Sequence, residues 1–127
     1  MESPYKILVI EDEELIRKVL EFRLKKEGYE VYLAKDGDEA LDLIAQHRFE
    51  LILVDVMLPY VGGLEITHKV KSDPLTKDTS VIVLSANGLE NVILEAFALG
   101  ADDFIAKPFN LPELIVRIKK HIQQKTA

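Results

Sequence analysis

The sequence predicts an α/β domain built on an open parallel β-sheet with helices on both faces. Three observations carry this. Short runs rich in β-branched residues and leucine recur at near-regular intervals, each of strand length. Segments with helical spacing of apolar residues separate them. Three of the runs, Ile7–Ile10, Leu51–Val54 and Val81–Leu84, are apolar without alternation, as in strands covered on both faces.

Taken in order, the first strand, Ile7–Ile10, leads into Glu11-Asp12-Glu13-Glu14. A stripe of Leu15, Ile16, Val19, Leu20 and Leu24 follows, with Arg17, Lys18, Arg23 and Lys25 around it and Gly28 as its C′ stop. The second strand, Val31–Leu33, precedes a shorter stripe of Ala40, Leu41 and Ile44. The third, Leu51–Val54, ends on Asp55 and precedes Leu64, Ile66 and Val70. The fourth, Val81–Leu84, is followed by Ser85 and a helix carrying Val92, Ile93, Ala96 and Phe97. The fifth, Phe104–Ala106, ends on Lys107-Pro108. The last helix opens at Asn110, which has capping-box spacing to Glu113, with Pro112 in the first turn and Leu114, Ile115, Ile118 and Ile122 behind it. The ordered core is expected over residues 5–122, and the polar tail 123–127 is expected to fray. Five β–α units with right-handed crossovers leave few topologies.

Composition narrows the function. A length of 127 residues suits one domain, and 48% apolar content supports a core. With 16 Lys+Arg against 22 Asp+Glu, the formal charge of −6 disfavours contact with nucleic acid. The lack of cysteine excludes a disulfide framework, a thiolate nucleophile and cysteine-based zinc or iron–sulfur sites. Apolar runs fall far short of the roughly 20 residues that cross a bilayer, and no signal-peptide stretch precedes Ile7. A cytoplasmic domain without membrane contact is the expectation.

In open parallel sheets the chemistry collects beyond the carboxyl ends of the strands, where strand order reverses. The residues there are Glu11 through Glu14, Asp55, Ser85 and Lys107. Asp55 interrupts Leu51-Ile-Leu-Val-Asp-Val-Met-Leu-Pro59, where an acid is costly unless it lies at a strand end or meets a cation. One reading makes it a cap of the next helix. Glu11 and Asp12 likewise suit the positive end of a helix. Acids crowded against Asp55 would instead call for a divalent cation, and all-oxygen ligands favour Mg²⁺ or Mn²⁺ over zinc. Ser85, with Ala86 and Asn87, reads equally as a helix cap or as a ligand-binding hydroxyl. Lys107 ends an apolar strand, and a cis peptide at Pro108 is a candidate device for aiming its ammonium at the acids. Together these groups suit phosphoryl transfer to a carboxylate. Asp55 would be the nucleophile, the cation would be held by Glu11 and Asp12, and Lys107 and Ser85 would receive the other oxygens.

Four motifs in order make the chain resemble the receiver domain of two-component response regulators: Ile7-Leu-Val-Ile-Glu-Asp-Glu13, Leu53-Val-Asp-Val-Met-Leu-Pro59 with Gly63, Val83-Leu-Ser-Ala86, and Gly100-Ala-Asp-Asp-Phe-Ile-Ala-Lys-Pro-Phe109. The resemblance covers essentially the whole chain as a single receiver domain, residues 1–127. It implies a flavodoxin-like, doubly wound sheet of five strands in order 2-1-3-4-5. It further implies that Asp55 accepts a phosphoryl group from a phosphohistidine on a sensor histidine kinase or phosphotransfer protein. Mg²⁺ would be held by Glu11, Asp12, Asp55 and the Met57 carbonyl, with Asp12 a direct ligand. Ser85 and Lys107 complete the catalytic set, and Ser85 and Phe104 form the switch. Repacking of the face made by helix 4, strand 5 and helix 5 would control an effector domain or partner, or a phosphorylation-dependent homodimer. Such a domain assists its own phosphorylation and dephosphorylation without being an enzyme on a diffusible substrate.

The chain departs from the family in two places. Gly62 replaces a frequent Asp in the turn after strand 3. Asp103 and Arg117 match charges used across dimers of transcription-factor relatives, whereas helix 4 offers Val92, Ile93 and Ala98 where charges often stand. His47, His68 and His121 are tied to no acidic motif, and Lys119, Lys120 and Lys125 read as a solvated face. A haloacid-dehalogenase-type phosphatase is the rival enzyme, but it needs an acid two residues past its nucleophile, where Met57 stands. A flavodoxin would need a phosphate loop after strand 1, where Glu11-Asp-Glu-Glu14 repels phosphate. A receiver-like module that only binds partners is the third alternative.

Overall fold

The computed structural model of the chain describes residues 4–86 and 90–126. Strands and helices alternate: β1 (Lys6–Ile10), α1 (Glu14–Lys26), β2 (Glu30–Ala34), α2 (Gly37–Gln46) and β3 (Leu51–Asp55). The second half adds α3 (Gly63–Ser72), β4 (Ser80–Ser85), α4 (Glu90–Ala98), β5 (Asp103–Ala106) and α5 (Leu111–Thr126). The five strands form one parallel sheet in the order β2-β1-β3-β4-β5. Strands run past their apolar runs because ladder partners set their ends: Ser80 pairs with Leu51, and Glu30 with Lys6.

The continuous apolar strands serve two cores by alternation. Ile7, Val9, Leu51, Leu53, Ile82 and Leu84 face Leu20 and Leu24 of α1 and Leu114, Ile118 and Ile122 of α5. Leu8, Ile10, Ile52, Val54, Val81 and Val83 face Ala40 of α2, Ile66 and Val70 of α3, and Ala96 of α4. Both faces of β1, β3 and β4 are thereby buried.

Local chemistry ends the helices where the sequence places the signals. Gly28, at φ +96°, is the C′ residue of α1. Its N–H donates to Lys25 O and that of Tyr29 to Leu24 O, the paired bonds of a Schellman motif. Asn110 Oδ1 accepts the N–H of Glu113 at 3.0 Å. The reciprocal half of the capping box is replaced, because Glu113 turns to Arg117 at 3.0 Å. The helix α5 continues to Thr126. Its polar last turn holds good helix formers, and Lys125 Nζ donates to the carbonyl of Asp78. Ala127, and Asn87 as a cap before α4, lie outside the described residues.

The β3–α3 junction is a close backbone approach. A Cβ on Gly63 would lie 2.1 Å from the Asp55 carbonyl oxygen and 2.8 Å from its carbon. Gly62, where the family often has Asp, is the α3 N-cap and makes no side-chain cap bond. The chain is held here by the Gly63 N–H on Val56 O at 3.1 Å and by the buried Thr67 hydroxyl on Gly63 O at 2.9 Å. Gly63→Ala should lower stability by about 2 kcal/mol, the scale of overpacking. A urea midpoint equal to wild type would show that α3 shifts without cost.

Candidate functional site

Parallel register assembles the site. Ile10 pairs with Val54, so Glu11 comes level with Asp55 across β1 and β3. Asp55 pairs with Leu84, one residue short of Ser85. Ser85 pairs with Ala106, and the Lys107 N–H donates to Ser85 O at 2.8 Å, which carries Lys107 to the same edge. The Lys107–Pro108 peptide bond is cis.

Glu11 and Asp55 are buried, and Asp12 is exposed. Lys107 Nζ lies 2.6 Å from Glu11 Oε1 and 2.5 Å from Asp55 Oδ2. The other Asp55 oxygen accepts the Met57 N–H at 2.9 Å, and the other Glu11 oxygen accepts the Glu13 N–H at 3.1 Å. The Asp12 carboxylate has no hydrogen-bond or ion-pair partner among the described residues. Ser85 is buried at the end of β4, and its carbonyl accepts the Lys107 N–H. Phe104 stands outside the acidic cup, half-buried against the α2–α3–α4 core, on the same sheet face as Ser85 and Ala106.

Burial pushes the Glu11 carboxyl above the ordinary carboxylate range, against the pull of the Lys107 and Glu13 hydrogen bonds, and the Asp55 charge adds to the rise. Burial pulls the Lys107 ammonium down. The hydrogen bonds and charges of Asp55 and Glu11 together outweigh it and hold Lys107 above the usual lysine value. Three acids gather beside one ammonium, which contacts two of them, a formal excess of two negative charges. Glu11, Asp12 and Asp55 each present an oxygen within 4.8 Å of the others. An all-oxygen set with surplus negative charge and one uncommitted carboxylate fits a hard divalent cation such as Mg²⁺.

Not every polar residue of the sequence reading converges here. Glu14 pairs with Lys18 in solvent at 2.9 Å, and Glu13 contributes only its N–H. Asp103 and Arg117 pair within the chain at 2.8 Å. His121 is not without an acidic partner, because its Nε2 lies 3.1 Å from Asp103. Lys119 is held by Glu27 at 2.6 Å, so the lysines of α5 do not form a free cluster.

Arg17, which helical spacing alone assigns to the surface of α1, also serves the site. Its guanidinium donates to Glu11 O at 2.8 Å and Asp12 O at 3.4 Å, bracing the β1–α1 turn. The signal was its position: a cation in the second turn of a helix sits near the positive end of the macrodipole and calls for a compensating acceptor.

The sequence matches the response regulator receiver domain family over residues 7–119. The receiver domain of Francisella response regulator 1452 superposes with a TM-score of 0.89 at 31% identity, covering 97% of this chain and 99% of that one. Vibrio cholerae chemotaxis response regulator CheY4 gives 0.88 at 31% identity, over 94% and 99%. The receiver domain of a sensor histidine kinase from Pseudomonas aeruginosa, which has a magnesium ion coordinated in its active site cleft, gives 0.86 at 30% identity, over 95% and 99%. No described helix is long and apolar enough to cross a membrane.

Lys107→Met removes the ammonium and drives the Glu11 carboxyl further up. A carboxyl whose folded-state pKa lies above its unfolded value contributes stability below the unfolded pKa and loses it as pH rises through the folded one. The variant should therefore lose about 3 kcal/mol near neutral pH. The gap to wild type should narrow on acidification toward pH ~4. A gap independent of pH in denaturant titrations would contradict this electrostatic account.

Proposed function

Because the chain belongs to the response regulator receiver domain family of two-component systems, we propose that it is a phosphorylation-dependent signalling switch with Asp55 as the phosphoacceptor. The observation that carries the reading is the buried contact of Lys107 with both Asp55 and Glu11, beside the uncommitted carboxylate of Asp12. Receiver domains pair with histidine kinases and effectors, and the proposed donor is a phosphohistidine of a sensor kinase or phosphotransfer protein. The same reading takes residues 1–127 as one receiver domain and places it in the cytoplasm, where that donor is made.

In the proposed step an Asp55 carboxylate oxygen attacks phosphorus. A P–O bond forms, the P–N bond breaks, and its electron pair returns to the imidazole, which leaves neutral when its other nitrogen holds a proton. Carboxylates are ionised near neutral pH, so no general base is needed. Lys107 offsets the charge on the phosphoryl oxygens, and the Ser85 hydroxyl donates to one of them. Glu11, Asp12, Asp55 and the Met57 carbonyl would hold Mg²⁺, which supplies positive charge between the acids and the incoming oxygens. Met57 has no proton to donate, which disfavours the phosphatase alternative.

An aspartyl-phosphate adds about −1.5 to −2 charge and new acceptor oxygens beside Ser85. In this proposal Ser85 moves toward them, and Phe104, its neighbour on the same sheet face, fills the space. The α4–β5–α5 face then repacks between two discrete arrangements and passes the signal to an effector or to a second subunit.

With Mg²⁺ and acetyl phosphate, intact mass should rise by one phosphoryl group, and Asp55→Asn should abolish the gain. An equal gain in the variant would remove Asp55 from its role, and no gain in either would favour a module that only binds partners. Chelation of divalent ions should stop labelling. Labelling at an undiminished rate in excess chelator would refute the metal assignment.

A further inference from the structure

Between α2 and α3, along their C-terminal halves and at the sheet edge opposite Asp55, lies an open groove of about 690 Å³. Its floor is apolar: Leu41 and Ile44 of α2, Val70 of α3, and Leu75 of the following turn, which is 70% exposed. Its rim carries Arg48, His68 and Lys69. Lys69 has no hydrogen bond or ion pair among the described residues. Arg48 directs Nη1 to the carbonyls of Ile44 and His47, at 3.4 and 3.3 Å, and has no carboxylate partner among those residues. The acid on the rim, Asp73, is turned to the Leu75 N–H at 2.9 Å. A cationic rim stands out on a chain with 22 acidic against 16 basic residues.

We propose that this groove docks a short acidic amphipathic segment of a partner protein. Its apolar side chains would cover Leu41, Ile44 and Leu75, and its carboxylates would meet Arg48 and Lys69. An apolar floor between two helices suits the apolar face of a helix laid in a groove. The rim sets the sign of the partner: a basic segment would place like charges against Arg48 and Lys69, whereas carboxylates give Arg48 the planar acceptor its fork fits. A second copy is the less favoured occupant, because pairing groove to groove would set Arg48 and Lys69 of one chain against the same cations of the other. The proposal is independent of the phosphoacceptor reading, since no groove residue touches the acidic cup.

The test is a ¹⁵N-detected titration of the whole chain with a short synthetic peptide of Leu and Glu at helical spacing, and with its counterpart bearing Lys for Glu. The Glu peptide should give saturable shifts confined to residues 41–48 and 68–76, weakened by salt. Arg48→Glu combined with Lys69→Glu should reduce its affinity at least about tenfold with an unchanged melting temperature. If that variant unfolds, Arg48→Gln with Lys69→Gln should still weaken binding. No saturable shift, shifts on another face, equal binding of the Lys peptide, or unaltered affinity in the variants overturns the proposal. Self-association through the groove, abolished by the same variants, also overturns it and assigns the groove to a second copy.

Discussion

The structure depends on a single buried ammonium. Lys107 lies 52 residues from Asp55 and 96 from Glu11 in sequence, yet touches both. Two carboxylates can be withdrawn from water only where a cation meets them, because breaking a buried pair strands a charge at a cost of several kcal/mol. This requirement ties β5 to the far side of β4 and β1 to the near side of β3. The site is therefore a condition for closing the sheet edge, and fold and chemistry impose the same constraint on the chain.

The architecture was legible because its signals are local and redundant. Apolar runs without alternation mark β1, β3 and β4, and Gly28 and Asn110 mark a helix end and a helix start by their own chemistry. The residues that meet at the site were legible for a related reason: each interrupts or ends an apolar run, where a charge has no cheap alternative. What escaped notice depends on register and tertiary approach. The grip of Arg17 on two carbonyls, the pairing of Lys119 with Glu27, and the contact of His121 with Asp103 join residues whose sequence neighbours look like ordinary helix surface. Hydrophobic period places a residue on a face but does not say which neighbour's charge it meets.

Polar satisfaction is complete: no buried side-chain nitrogen or oxygen among the described residues lacks a partner. Against that background the acidic cup stands apart by its charge: three carboxylates gather where one ammonium contacts two of them. Local rules broken at one place in an otherwise consistent structure mark function rather than error. The close contact of Gly63 with the Asp55 carbonyl belongs to the same economy of space, since α3 begins where the acceptor strand ends.

Asp103 carries a consequence for assembly. One of its oxygens is bound by Arg117 and the other by His121 of the same chain. Were two subunits to join through the α4–β5–α5 face by the Asp103–Arg117 pair, each new intersubunit bridge would replace an intrachain one. Such a swap is nearly isoenergetic, so ion pairing would fix the alignment of the subunits without driving their union. The driving term would fall to Leu94, Phe97 and Val116, exposed on the flanking helices. Association by that route would thus carry the negative heat-capacity change of apolar burial and little sensitivity to ionic strength.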